Sequence, residues 1–167
     1  REVNILAVDP GSKLGWALQM GAGAVESGVE DFSLRRGESP GARFLRFRRW
    51  LQDVDALTIR TTGQHVTLVA YEQPHHRGGH ATEVAHGFST RLQELAAATP
   101  GCECVSVHTA TLKKATTGNG RAGKDEMIVA ARRRWQIEPT DDNHADALCI
   151  LAWAVERYQA SGEGCAG

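Results

Sequence analysis

The sequence predicts an α/β domain with a mixed five-stranded sheet flanked by helices on both faces. Three observations carry this reading. Short β-branched and apolar runs, bounded by turn residues, occupy the first part of the chain. Helix-period segments then alternate with two further strand-like runs, the pattern of parallel crossovers added to an antiparallel start. No internal repeat and no Pro- or Gly-rich linker divides the 167 residues, a length that suits one domain.

The run from Val3 to Val8 reads as a buried strand that stops at the turn cluster Asp9-Pro10-Gly11-Ser12. Leu14 to Met20 reads as a second strand, and the short loop between them suits a hairpin. A weaker third strand is expected from Gly28 to Leu34. Ser39-Pro40-Gly41 then opens a helix in which Phe44, Phe47, Leu51 and Val54 recur at helical spacing, with arginines between them. Val66 to Tyr71 is the fourth strand and ends at Glu72-Gln73-Pro74. A polar loop, His75 to His80, leads to a helix marked by Val84, Phe88, Leu92 and Leu95. Gly101 to Val107 is the fifth strand. Thr109 to Thr117 reads as a short helix before the turn Gly118-Asn119-Gly120. Lys124 to Trp135 is helical, with Met127, Ile128, Ala131 and Trp135 as its apolar stripe. The last helix runs from about Asn143 to Tyr158 and buries Ala147, Ile150, Leu151, Ala154 and Tyr158. The Gly-rich end, Ser161 to Gly167, reads as a frayed tail.

Composition sets outer bounds. An apolar fraction of 41% and a charged fraction of 23% are those of an ordinary globular protein, and the net charge of −1 makes no case for nucleic-acid binding. Arginines do cluster, at Arg43, Arg46, Arg48 and Arg49 and again at Arg132, Arg133 and Arg134. These form either a basic face or solvated helix faces, and charge alone favours the second. No run of 18 apolar residues predicts a membrane span. Arg1 to Ala7 shows no signal-peptide pattern, and the absent initiator Met points to a trimmed chain. Among the four cysteines, Cys102-x-Cys104 lacks a matching second pair for zinc, Cys149 sits in an apolar helical run as a core thiol, and Cys165 falls in the tail. With no disulfide framework, a reducing cytoplasm is the expected setting.

Three acids occupy special places. Asp9 follows the first buried strand, Glu72 follows the fourth, and Asp146 lies in the first turns of the last helix. Strand ends beside loops are where α/β proteins build sites, and neighbouring strands would bring Asp9 and Glu72 close together. Clustered carboxylates repel unless a cation neutralises them. Mg²⁺ is a hard ion that takes carboxylate, phosphate and water oxygens, and a pair of such ions suits phosphodiester cleavage. Each acid alone also has an ordinary structural explanation: a turn former at Asp9, an arginine partner for Glu72, a helix N-terminus at Asp146.

Four segments in order add a resemblance. Ile5-Leu6-Ala7-Val8-Asp9-Pro10-Gly11-Ser12, with Gly15-Trp16-Ala17, resembles the opening strand and hairpin of the RuvC family of Holliday junction resolvases. Val69-Ala70-Tyr71-Glu72-Gln73-Pro74 is similar to that family's second acidic motif. Lys113-Lys114-Ala115-Thr116-Thr117-Gly118-Asn119-Gly120, with Lys124, resembles its basic segment, and Asp142-Asn143-His144-Ala145-Asp146-Ala147-Leu148 its closing helix. The closing motif looks more like phage and prophage members than bacterial housekeeping ones. The resemblance implies the ribonuclease H fold. Residues 1–160 are read as one nuclease domain of that kind, and the Gly-rich 161–167 as a disordered tail. The resemblance also implies a homodimer, Mg²⁺ with Mn²⁺ as a substitute, and paired nicks near the crossover of a four-way DNA junction. Asp9, Glu72 and Asp146 carry over as catalytic metal ligands, and Lys113 and Lys124 as catalytic lysines beside the scissile phosphate. DNA contact is expected at His75, His76, Arg77, Lys113, Lys114, Arg121 and Lys124.

The sequence departs from the family at the position three residues before Asp146, where the family carries Asp or His and this chain carries Asn143. Asn can offer a carbonyl oxygen but cannot act as a base at neutral pH. Asp142, four residues before Asp146, shares its helical face and is the favoured fourth catalytic ligand. Asn143 is the second choice, and His144 stays open as a base, although an ideal helix places it about 200° from Asp146. The helix of Val84, Phe88, Leu92 and Leu95 resembles the family's dimer helix, yet the same residues suit ordinary core packing. Trp16, Trp50, Trp135 and Trp153 read as core residues rather than base-stacking ones.

Other functions remain in view. A broader nuclease for forks and R-loops would use the same fold and acids. A catalytically silent junction-binding protein is supported only by Asn143. A sugar-kinase-like ATPase shares the Asp9-Pro10-Gly11-Ser12 turn, but the Glu72 and Asp146 motifs speak against it.

Overall fold

The computed structural model describes residues 3–75 and 78–159. Its elements are β1 (Asn4–Asp9), β2 (Lys13–Met20), β3 (Val25–Asp31), α1 (Ala42–Thr62), β4 (Leu68–Glu72), α2 (His80–Ala98), β5 (Glu103–Val107), α3 (Thr109–Thr117), α4 (Lys124–Trp135) and α5 (Asp142–Gln159). The strands form one five-stranded sheet in the order β3-β2-β1-β4-β5. β2 pairs antiparallel with β1 and β3, whereas β1–β4 and β4–β5 are parallel. The mixed sheet and the order of elements agree with the sequence reading.

Side chains alternate across a strand, so each strand feeds two cores. In β1, Ile5 and Ala7 join the core beneath α3, α4 and α5, while Leu6 and Val8 join the core beneath α1 and α2. β4 repeats this, with Leu68 and Ala70 on the first side and Val69 and Tyr71 on the second. The two faces differ in bulk. Phe32, Phe47 and Phe88 fill the α1–α2 side, with Phe47 and Phe88 edge to face at 4.9 Å. On the other side Ala7, Ala17 and Ala70 present a shallow surface, and α5 answers with Ala145, Ala147 and Ala154, all 0% exposed. Small residues on both partners let α5 lie close to the sheet.

Gly15 takes that approach to its limit. It pairs with Asp9 across the β1–β2 ladder. A Cβ on Gly15 would stand 1.9 Å from the backbone oxygen of Asn143. The start of α5 is therefore seated on the strand position directly beside Asp9. Asp141 fixes that start by accepting a hydrogen bond from the His144 backbone N–H at 2.8 Å, the arrangement of an N-cap.

Several boundaries moved. β3 lies at Val25–Asp31, three residues earlier than its own apolar content indicates. Glu26, Ser27 and Gly28 are poor strand formers held there by pairing with Leu18, Ala17 and Trp16. Asp9 and Glu72 close their strands rather than following them. The arginine cluster of α1 is not uniformly solvated: Arg43 is buried and donates to the Ser12 hydroxyl, Arg46 pairs with Glu38, and Arg48 pairs with Glu94. Val84, Phe88 and Leu92 of α2 are core residues against the sheet, which removes them from any dimer surface. The tryptophans are packing residues as read: Trp16 and Trp50 meet edge to face, Trp135 donates to the Leu148 carbonyl, and Trp153 packs against the α5 side. Cys149 is a buried thiol that burial pushes up to about 12. Cys102, Cys104 and Cys149 are free. No described helix is long and apolar enough to cross a membrane. The tail 161–167 lies outside the described residues.

Candidate active site

Strand alternation decides where Asp9 and Glu72 point. Asp9 continues the Ile5–Ala7 side of β1, and Glu72 continues the Leu68–Ala70 side of β4. Both therefore project beneath α5. β1 and β4 are parallel neighbours with Val8 opposite Tyr71, so the two acids leave the same edge of the sheet side by side. Asp146, one turn into α5, comes down onto them. Ligand oxygens of Asp9, Glu72 and Asp146 all lie within 4.8 Å of one another, and each of the three residues is half-buried. The three acids singled out in the sequence thus converge, although they are 63 and 74 positions apart in the chain.

This proximity is electrostatically costly. Burial, followed by the charges of Asp146, Glu72, Asp142 and Asp141, pushes the Asp9 carboxyl well above the usual carboxylate range. Burial, followed by the charges of Glu72 and Asp142, pushes Asp146 up to about 7, against the opposing pull of Lys113 and Lys124. Hard oxygen donors, closely spaced and mutually repelling, fit a divalent cation: bound charge would offset the repulsion that the fold imposes.

The acids form the floor of an open cleft of about 360 Å³. Pro10, Gln73, Pro74, His75, Thr82 and Ala85 line one part of it, and Thr109, Lys113, Lys124, Met127 and Asp142 another. Lys124 bridges to Asp142 at 3.2 Å, with side-chain exposures of 80% and 36%. Such an exposed pair holds its partners only weakly, so Lys124 is free to turn toward an anion in the cleft.

The candidates for a fourth ligand separate clearly. Asp142 lines the cleft with Asp146, one turn away, but stands outside the tight group of three. Asn143 is half-buried and its backbone carbonyl rests against Gly15; it does not line the cleft. His144 is turned away. It is 4% exposed, its Nδ1 accepts the Thr140 N–H at 3.0 Å, and its Nε2 meets the Ser27 hydroxyl at 2.8 Å. Because Nδ1 accepts, the proton resides on Nε2 and is given to Ser27. Burial also lowers its pKa. His144 is therefore a neutral staple between α5 and β3, which withdraws it as a base.

Of the residues read as contacting DNA, His75, Lys113 and Lys124 line the cleft. Lys114 on α3 and Arg121 in the turn before α4 are exposed and lie outside its lining. His76 and Arg77 fall outside the described residues. One residue of the site escaped the sequence reading. Thr109, first in α3, donates its hydroxyl hydrogen bond to Glu72 Oε1 and lies 3.3 Å from His75 Nε2. β5 delivers it there, because Val107 pairs with Glu72. Only the order of strands in the sheet carries that information.

Similarity to known proteins agrees with this geometry. No family model matches the chain. A crossover junction endodeoxyribonuclease RuvC from Anaeromyxobacter sp. (strain K) is 32% identical over 165 residues, covering 96% of this chain and 86% of the relative. One from Nitratidesulfovibrio vulgaris (strain Hildenborough) is 28% identical, covering 89% and 90% respectively. Among solved structures, T. thermophilus RuvC in complex with Holliday junction substrate superposes with a TM-score of 0.69 at 24% identity, covering 96% of each chain. The fold is thus that of the RuvC nucleases, the ribonuclease H-like arrangement expected from the motifs. By its identity to curated members across nearly its whole length, the chain belongs to the RuvC family of crossover junction endodeoxyribonucleases.

Proposed function

We propose that this protein resolves four-way DNA junctions as a homodimer, by paired phosphodiester hydrolysis dependent on Mg²⁺ or Mn²⁺. The observation that carries the reading is the convergence of Asp9, Glu72 and Asp146, in a member of this family, at the floor of an open cleft edged by lysines. Asp9, Glu72 and Asp146 would hold the cation, with Asp142 as the fourth carboxylate. Bound there, divalent metal supplies an activated water and charge stabilisation for the leaving oxygen.

The remaining steps belong to the chain's own side chains. Lys113 and Lys124 stand at the mouth as compact cations that attract and hold the scissile phosphate. Lys124 exchanges Asp142 for phosphate as DNA enters. His75 meets the DNA beside the reacting strand. Lys114, Arg121 and the segment around His76 and Arg77 add contacts that position the duplex without reading sequence. Symmetric nicks on opposing strands require two copies of this site, hence the homodimer. A junction-binding protein without catalysis has no support beyond Asn143, and Asn143 stands outside the cleft.

The test is a substrate panel. With Mg²⁺ or Mn²⁺, a four-way junction should yield paired symmetric nicks and two linear duplexes, and EDTA should stop the reaction. Equal rates on Y-forks and R-loops would favour the broader branched-DNA nuclease. Absence of cleavage with both metals, despite junction binding, would overturn the enzyme reading.

A further inference from the structure

We propose that Thr109 is a positioning residue of this site: its hydroxyl fixes the rotamer of Glu72 and joins it to His75, so that metal holding and DNA contact share one hydrogen-bonded chain. The proposal rests on the reading of Asp9, Glu72 and Asp146 as a cation site.

Hydroxyl bookkeeping gives the chain a direction. Glu72, when ionised, only accepts, so the single Thr109 proton is committed to Glu72 Oε1. Toward His75 the hydroxyl oxygen can then only accept. His75 Nε2, 3.3 Å away, must be the protonated nitrogen, and Nδ1 is the one left for other partners. The order is His75 Nε2–H to Thr109 O–H to Glu72 carboxylate. One oxygen of Glu72 is thereby occupied, and the acid's rotation is fixed.

The frame around Thr109 suits this task. It opens α3, where the Leu112 N–H bonds the His108 carbonyl at 2.9 Å. The strand ends behind it are clamped by the Gln73 N–H to the Val107 carbonyl at 2.9 Å and by the Gln73 amide to the Ser106 hydroxyl at 3.0 Å. Glu72 and Thr109 therefore sit on one rigid corner, as partners that orient a metal-binding carboxylate should. His75, by contrast, is exposed at the cleft wall, where bound DNA would meet it.

Mn²⁺ titration of the metal-free full chain by calorimetry tests the assignment, with cleavage of a four-way junction measured across Mn²⁺ concentrations. In T109V, of nearly equal shape, Mn²⁺ affinity should fall about 10-fold or more, the usual consequence of losing a partner that orients a ligand. Its cleavage should recover as Mn²⁺ rises. T109S keeps the hydroxyl and should restore Mn²⁺ affinity. T109A provides a second hydroxyl-free variant should the valine disturb folding, and melting temperatures identify such disturbance. Wild-type Mn²⁺ affinity in a folded T109V or T109A, or weak binding in T109S equal to that of T109V, would overturn the role of Thr109. Failure of the wild-type chain to bind Mn²⁺ at all would instead remove the cation site, and the proposal with it.

Discussion

Asp146→Asn is expected to abolish junction cleavage, retain junction binding, and raise the melting temperature of the metal-free protein at pH 8. The loss of rate should exceed about 100-fold, beyond what losing an outer partner of a metal ligand costs. The gain in stability follows from the same crowding that makes the site. Asp146 is pushed up to about 7 in the folded chain, chiefly by burial and then by Glu72 and Asp142. A carboxyl raised in the folded state binds a proton there that it has lost in the unfolded state between about pH 4 and pH 7. Unfolding then releases a proton, and stability falls as pH rises through that window. Metal-free wild type should therefore melt at lower temperature at pH 8 than at pH 5, and the asparagine variant should show a flatter dependence. Added Mn²⁺ should reverse the ranking, because binding to the folded state stabilises wild type most. Cleavage by the variant at the wild-type rate would remove Asp146 from the reaction.

Gly15→Ala is expected to be severely destabilising. Its Cβ would fall 1.9 Å from the Asn143 oxygen and 2.4 Å from the Asn143 carbonyl carbon. Both are backbone atoms, so no rotamer change relieves the clash, and α5 must lift from β2. Overpacking of this kind costs about 3 kcal/mol or more. For a chain of this size that corresponds to roughly 6–12 °C in melting temperature. Activity should suffer separately. Lifting the start of α5 by about 1 Å moves Asp142 and Asp146 away from Asp9 and Glu72, and displacements of that size cost about 100-fold in rate. A folded Gly15→Ala protein with unchanged cleavage would show that α5 need not be seated on β2 for the acids to converge.

The parts of this molecule that were legible in the sequence are those written in local pattern. β1, α3, α4 and α5 announced themselves through apolar runs and helical spacing, and their bounds moved by a residue or less at most ends. The three acids were legible because each sits at the edge of a pattern, Asp9 and Glu72 closing strands and Asp146 in the opening turns of a helix. What stayed hidden depends on partners far away in the chain. β3 is held by β2, not by its own Glu26, Ser27 and Gly28. Thr109 finds Glu72 across 37 positions and His144 finds Ser27 across 117. His144 in particular had stayed open as a base despite its place on the helix, and its partners show it to be a structural residue. The core role of Val84, Phe88 and Leu92 likewise followed only once α2 was seen lying on the sheet. Gly15 carried no local sign that a helix backbone would rest on it.

If Asp9, Glu72 and Asp146 form one divalent-metal site, the ion should be visible there. Anomalous diffraction from crystals of the protein grown with Mn²⁺ tests this most directly. Manganese should be bound by carboxylate oxygens of Asp9, Glu72 and Asp146, at the floor of the cleft lined by Lys113 and Lys124. Manganese elsewhere, with these three carboxylates free of metal at saturating concentration, would contradict a shared site.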